Sequence, residues 1–286
     1  MLTAAGLAGA GQSVSPSDRI RVATIGFGGM GMGDTKYALS VPGVELAAVC
    51  DIYDGRLTRA REVYGDRVFT TRDYREVLAR KDIDSVIVAT PDHWHATLSI
   101  AAMEAGKDVY CEKPMVQSVV DGKAVIAAQE RTGRIFQVGS QYVASAVYQK
   151  ARELVQSGAI GRLTMVEAWL DRNTALGAWQ YSIPPDSIGA FPKAVQEEFM
   201  RQYRQQYPAG GQPAAKIEPE RFAPPSGYDA HQEHHRVFYQ AVRSRKEPVE
   251  DAVFGFQAAG PALLANTSYF EKRMCHWDPE AMTVRQ

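Results

Sequence analysis

Cysteine is scarce in these 286 residues, and the three present, Cys50, Cys111 and Cys275, stand far apart. Without a close C-x-x-C pair, neither a disulfide framework nor a zinc site is indicated, and no metal is expected. Cys50 and Cys111 each end an apolar run and read as small buried hydrophobes. Excess charge is missing too: 32 basic side chains stand against 33 acidic ones, a net charge of −1. Such a balance offers no global field to nucleic acid or an anionic membrane, and neither is expected as a partner. A bilayer-length hydrophobic run is also absent. The apolar stretch at the start, Leu2 to Gly11, is too short to span. It resembles the core and cleavage region of an export signal, but the basic segment that should precede them is lacking. Residues 1–18 are therefore read as a leader or signal remnant and kept out of the fold. The compartment is cytoplasmic for the sequence as written, and exported or periplasmic if the remnant is a truncated signal.

What is present is ordinary globular composition, 45% hydrophobic and 23% charged, in a chain long enough for two modest domains. From Arg19 to Val138, short runs rich in Val, Ile and Ala alternate with longer amphipathic stretches. Ile20–Ile25, Val44–Cys50, Ser85–Ala89, Asp108–Cys111 and Ile135–Val138 read as strands buried on both faces. Gly29–Ser40, Gly55–Tyr64, Asp73–Arg80, His93–Ala105 and Val119–Thr132 read as the helices between them. Pro42-Gly43, Gly106 and Gly133 stop three of these helices. This alternation predicts right-handed crossovers and an α/β, doubly wound parallel sheet over residues 19–138.

Beyond Gly139 the rhythm changes, and residues 139–286 are read as a second, truncated α+β domain. Ala144–Ser157 predicts a helix and Leu163–Leu170 a strand; Asn173 to Ser226 is irregular and proline-studded, interrupted by a helix near Lys193–Tyr207. Two more helices are expected at about Tyr228–Ser244 and Phe254–Phe270.

The strongest motif is Gly26-Phe27-Gly28-Gly29-Met30-Gly31, a G-x-G-x-x-G directly after the first strand and opening a helix. Its first glycine permits the tight turn, the second lets the backbone approach a pyrophosphate, and the third allows close helix–strand packing. The helix N-terminus adds free N–H groups and the positive end of a dipole. Asp51 ends the second strand about 20 residues further on, where an acid can bind the adenosine ribose hydroxyls. It would also repel the 2′-phosphate of NADP, since two like charges about 4 Å apart cost roughly 4 kcal/mol at an effective dielectric of 20. Arg56 lies near enough in sequence to soften that repulsion. NAD is the expected cofactor, with NADP still open. A glycine-rich turn and a surface aspartate are the bland alternative.

Two further loops leave the carboxyl ends of strands, where open sheets of this kind bind ligands. Thr90-Pro91-Asp92-His93-Trp94-His95 follows the third strand of the sequence reading, with Asp92 placed to cap the next helix. His93 and His95 are equally readable as packed or surface imidazoles and as functional groups; no third metal ligand stands near them. Glu112-Lys113-Pro114 follows the fourth. A lysine there can exchange a hydroxyl proton as hydride leaves. Spacing alone, however, favours an exposed Glu/Lys surface pair.

Taken in order, Gly26–Gly31, Asp51, Thr90-Pro91 with His95, and Glu112-Lys113-Pro114 resemble the glucose-fructose oxidoreductase, inositol dehydrogenase and rhizopine-catabolism (Gfo/Idh/MocA) family. Val138-Gly139-Ser140-Gln141, Phe238–Pro248 and Leu264–Phe270 extend the likeness. The resemblance implies an N-terminal Rossmann domain, then an α/β domain whose open sheet often mediates homo-oligomers. It implies NAD or NADP, and hydride transfer to or from a sugar, inositol or related polyol. Carried over by position, Lys113 is the catalytic or substrate-orienting lysine, and Thr90, Pro91, His95 and Glu112 line the cofactor.

The chain departs from the family pattern in its second domain. The Asp-x-x-x-His element before the long sheet is absent, Val143 replaces a commonly basic residue, and only one strand is readable. Exposed apolar surface and an altered oligomer are expected consequences. His231, His234 and His235 read as a solvated helix start, with an approach to the ligand crevice as the alternative. Two other functions stay open: a glycoside hydrolase that uses bound NAD in a transient oxidation–elimination cycle, and a catalytically impaired NAD-binding protein.

Overall fold

The computed structural model describes residues 18–164 and 222–285. Six strands make one wholly parallel sheet: β1 (Ile20–Ile25), β2 (Val44–Cys50), β3 (Phe69–Thr71), β4 (Ser85–Val88), β5 (Asp108–Glu112) and β6 (Phe136–Gly139), in the order β3-β2-β1-β4-β5-β6. The strand order reverses at β1. The connections are α1 (Gly29–Leu39), α2 (Asp54–Tyr64), α3 (Tyr74–Ala79), α4 (His95–Glu104) and α5 (Val119–Thr132). β4 is buried at every residue, as its run of branched side chains requires when helices cover both faces. This is the doubly wound fold that the alternation predicts.

Local chemistry sets the ends of these elements. Asp73 caps α3, its carboxylate accepting the Arg75 N–H at 2.9 Å, and Ser118 caps α5 by accepting the Asp121 N–H at 3.1 Å. Gly133 ends α5 at φ +62°. β3 escaped the sequence reading because three residues, Phe69-Thr70-Thr71, show no period. Asp92 does not cap α4. It lies inside a single 3₁₀ turn, Asp92–Trp94, and neither that turn nor α4 has a side-chain cap.

The chain through Gln141 together with His231–Gln286 forms one compact unit, and Tyr142–Ala230 a second. This differs from a boundary at Val138. The helix α7 (Ala230–Ser244) and the helix α8 (Ala252–Glu271) build the core of the first unit. Phe238 and Tyr239 of α7 are completely buried among Ile20, Val22, Ile87 and Tyr110. Each such ring stabilises the fold by about 2–3 kcal/mol. Phe256 of α8 packs on α5 so closely that a Cβ at Gly122 would enter its ring. A hairpin of β7 (His276–Asp278) and β8 (Thr283–Arg285), unforeseen from sequence, sets Trp277 edge-on to Phe256 at 5.7 Å.

In the second unit the described residues contain α6 (Ala146–Gln156), whose first N–H donates to the Tyr228 hydroxyl at 2.9 Å. Residues 163–164 are not in a strand, and the rest of the expected strand and the helix near Lys193–Tyr207 lie outside the described residues. Among the described residues no helix is long and apolar enough to cross a membrane.

Candidate dinucleotide site

The glycine turn joins β1 to α1 at the carboxyl edge of the sheet, where the strand order reverses. Gly26 takes φ +90°, and a Cβ there would lie 2.6 Å from the Ala89 carbonyl group. A Cβ on Gly31 would strike the Gly26 carbonyl oxygen. These two glycines therefore close the turn. Gly29 faces open space, with nothing within 4 Å of a Cβ, and Gly28 begins α1 without any side-chain cap. Exposed N–H groups over an open cradle suit a pyrophosphate. Phe27 is buried against Tyr64, whereas Met30 is half-exposed at the rim.

Asp51 directly follows β2 beside this turn and is buried, which removes the surface reading. One oxygen accepts the Phe27 N–H at 2.7 Å and the other the Tyr53 N–H at 2.9 Å. The Arg56 guanidinium bonds it at 3.2 Å and stands 3.5 Å from the position of a Gly28 Cβ. The acid thus shapes the turn as well as offering its remaining lone pairs. Arg56 offsets its charge.

The two loops beyond are stapled together by His95. Its Nδ1 lies 2.7 Å from the Pro114 carbonyl and its Nε2 2.8 Å from the Thr90 carbonyl. With both nitrogens engaged and the ring buried, His95 is a packed residue and no metal ligand; His93 stays exposed. The Thr90 hydroxyl is buried and has no hydrogen-bond partner among the described residues.

Glu112 is not on the surface. It is 4% exposed, while Lys113 beside it is exposed, so the surface-pair reading fails for the acid. Gly139 makes its burial possible, because a Cβ there would enter the Glu112 carboxyl. Gln141 donates to the same carboxyl at 2.6 Å. The partnership of Gly139 and Gln141 with Glu112 escaped the sequence reading. The one signal was a glycine and an amide just past a strand neighbouring β5.

His234 and His235 are both fully buried, against the expectation of a solvated helix start. His234 Nε2 meets the Val138 carbonyl at 2.8 Å, and His235 Nε2 meets Asp34 of α1 at 3.4 Å. Cys50 and Cys111 are buried hydrophobes as expected, and burial pushes both thiols up to about 12.

Burial also sets the titration of three groups. Glu112 is raised to about 8, by desolvation first and the Asp34 charge second, and Glu250 to about 7 by desolvation. His234 is lowered to about 4, again chiefly by desolvation. The two carboxyls bind protons more tightly in the folded chain than in the unfolded one. Their contribution is therefore full below about 4.5 and lost as pH rises towards 7 and 8. His234 acts oppositely, and its contribution is lost as pH falls from 6.5 to about 4. Between pH 6.5 and 8 only the carboxyls act, so thermal unfolding midpoints should fall as pH rises. The slope should be about 1 kcal/mol per pH unit for each titrating group. Circular-dichroism melts across that range check this, and Glu112→Gln should flatten the decline; an unchanged slope would show that Glu112 is not its source.

Residues 20–140 match the model of the oxidoreductase family with an NAD-binding Rossmann fold, GFO_IDH_MocA. An inositol 2-dehydrogenase of Salmonella paratyphi B is 33% identical over 51% of this chain and 44% of its own length. A glycosyl hydrolase family 109 protein of Shewanella baltica is 35% identical over 53% of this chain and 35% of its own. The crystal structure of myo-inositol 2-dehydrogenase from Lactobacillus plantarum shares 27% identity, covering 50% of this chain and 43% of that one, with a TM-score of 0.47. The chain thus spans less than half the length of these relatives. Over residues 20–140 it is similar to the NAD-binding Rossmann domain of the Gfo/Idh/MocA oxidoreductases.

Proposed function

We propose that the protein is an NAD-dependent dehydrogenase of a sugar, inositol or related polyol, with Lys113 as its proton-exchanging residue. The observation that carries this reading is the placement of Lys113. It is exposed at the carboxyl end of β5, and its loop is fixed by the His95 staple and by the burial of the adjoining Glu112. A lysine so held can take the proton of a substrate hydroxyl while the bound dinucleotide accepts hydride. The glycine turn with Gly26, Phe27, Gly28, Gly29, Met30 and Gly31 would hold the pyrophosphate. Asp51 would hold the ribose, and Thr90, Pro91 and Glu112 would border the nicotinamide end. Because Arg56 offsets the Asp51 charge, NADP is admitted as a weaker alternative.

Calorimetric titration with NAD, NADP and NADH, followed by NADH absorbance over a polyol panel, tests the reading. Lys113→Ala is expected to lower turnover by about 100- to 10,000-fold with NAD affinity changed only a few-fold. Full activity in that variant would remove Lys113 from the role.

The likeness to a glycosyl hydrolase family 109 protein favours a second reading, glycoside cleavage with NAD retained. Release of sugar from a glycoside without net NADH would select it. NAD binding with neither activity would leave a non-catalytic binding protein.

A further inference from the structure

Between the glycine turn and the Lys113 loop lies a set of buried ionisable groups to which the reaction above assigns no proton transfer. Asp34 on α1, Tyr110 and Glu112 on β5, and His235 on α7 are all under 5% exposed. His235 stacks on the Tyr110 ring with centroids 4.3 Å apart and reaches one Asp34 oxygen. The other Asp34 oxygen, the Tyr110 hydroxyl and His235 Nδ1 have no hydrogen-bond partner among the described residues. Lys113 is the cation that acts on Glu112. Around the cluster stand Tyr239 and His234 of α7 and Glu250 ahead of α8.

Two carboxylates and a phenol enclosed with a single imidazole are not all ionised at neutral pH, because burial penalises each charge and like charges oppose one another. Asp34 has the imidazole. Glu112 takes the neutral Gln141 amide on one oxygen, and the Lys113 backbone N–H and exposed ammonium also favour its charge, but burial and the Asp34 charge outweigh them. The cluster also links the two parts of the site: Asp34 sits in the helix that opens at the glycine turn, and Glu112 directly precedes Lys113.

We propose that Glu112 holds a proton in the free protein and surrenders it to solvent when the oxidised, cationic dinucleotide binds, whereas the reduced, uncharged ring leaves the proton in place. No bond to the dinucleotide is made or broken; the Glu112 O–H bond alone breaks. The inference rests on the reading that the nicotinamide end lies at Lys113.

Two measurements decide it. Infrared pH titration of the cofactor-free protein should show a protonated carboxyl band at neutral pH that is lost in Glu112→Gln. Asp34→Asn, which removes the opposing charge and keeps the shape, should lower the titration of that band by about one pH unit or more. Calorimetry at neutral pH in phosphate and in Tris should then show release of close to one proton per NAD+ bound, almost none per NADH, and none in Glu112→Gln. No protonated band in the free protein, or NAD+ binding with buffer-independent heat, overturns the proposal and leaves the functional reading standing. Failure of NAD+ to bind overturns both.

Discussion

Alanine at Gly31 is expected to abolish measurable NAD binding and to destabilise the fold by about 1–3 kcal/mol. The added methyl group meets the Gly26 carbonyl oxygen and presses the Thr24 methyl at 3.3 Å. The first of these is backbone and cannot swing aside. Relief requires the turn to open, which moves the N–H groups that face the phosphate. Gly26→Ala should cost as much again, because it adds backbone strain at φ +90° to a collision with Ala89. Gly33 supplies the control. It lies in α1 with nothing within 4 Å of a Cβ, so alanine there should gain about 0.5–1 kcal/mol and leave binding intact. Denaturant unfolding and NAD calorimetry on the three variants would show the contrast. Wild-type affinity in Gly31→Ala would rule out a pyrophosphate at this turn.

Asp51→Ala is expected to be comparably severe. It strands the buried Phe27 N–H, at a cost of about 1–3 kcal/mol, and the part-buried Tyr53 N–H at less, and deprives Arg56 of its counter-charge. Asparagine is not a conservative replacement here. The two N–H groups approach different carboxylate oxygens, and an amide presents only one acceptor. Asp51→Asn should therefore lie between wild type and Asp51→Ala in unfolding midpoint. Both should lose about tenfold or more in NAD affinity through the altered turn. Equal stability of Asp51→Asn and wild type would show that only one of the two hydrogen bonds contributes.

The glycine turn was legible in the sequence because its spacing encodes backbone geometry directly: no other residue type tolerates φ +90° at Gly26 or the contact at Gly31. The position of Asp51 was legible for a similar reason, as a strand end at a fixed offset. Its partners were not, since hydrogen bonds between a carboxylate and distant N–H groups leave no periodic trace. Glu112 was misread because a charged pair after a strand is usually solvated, and the glycine that admits this one lies on the next strand, 27 positions on. α7 was recognised as a helix and misjudged in its burial. The signal was available. His235, Phe238 and Val242 recur every three or four residues, and that stripe is buried. What no local pattern reveals is that a helix beginning at Ala230 completes a core whose first strand begins at Ile20.

That return has a consequence for how the chain can change in length. Gln137 donates to the His234 carbonyl at 3.1 Å and His234 meets the Val138 carbonyl, so the departing strand and the arriving helix are clasped at one point. A chain segment whose two ends are pinned together adds only about 0.6 kcal/mol of closure entropy for each doubling of its length. Residues 142–230 can accordingly be shortened, expanded or exchanged among descendants while the nucleotide fold persists. Selection can remodel the one without renegotiating the other.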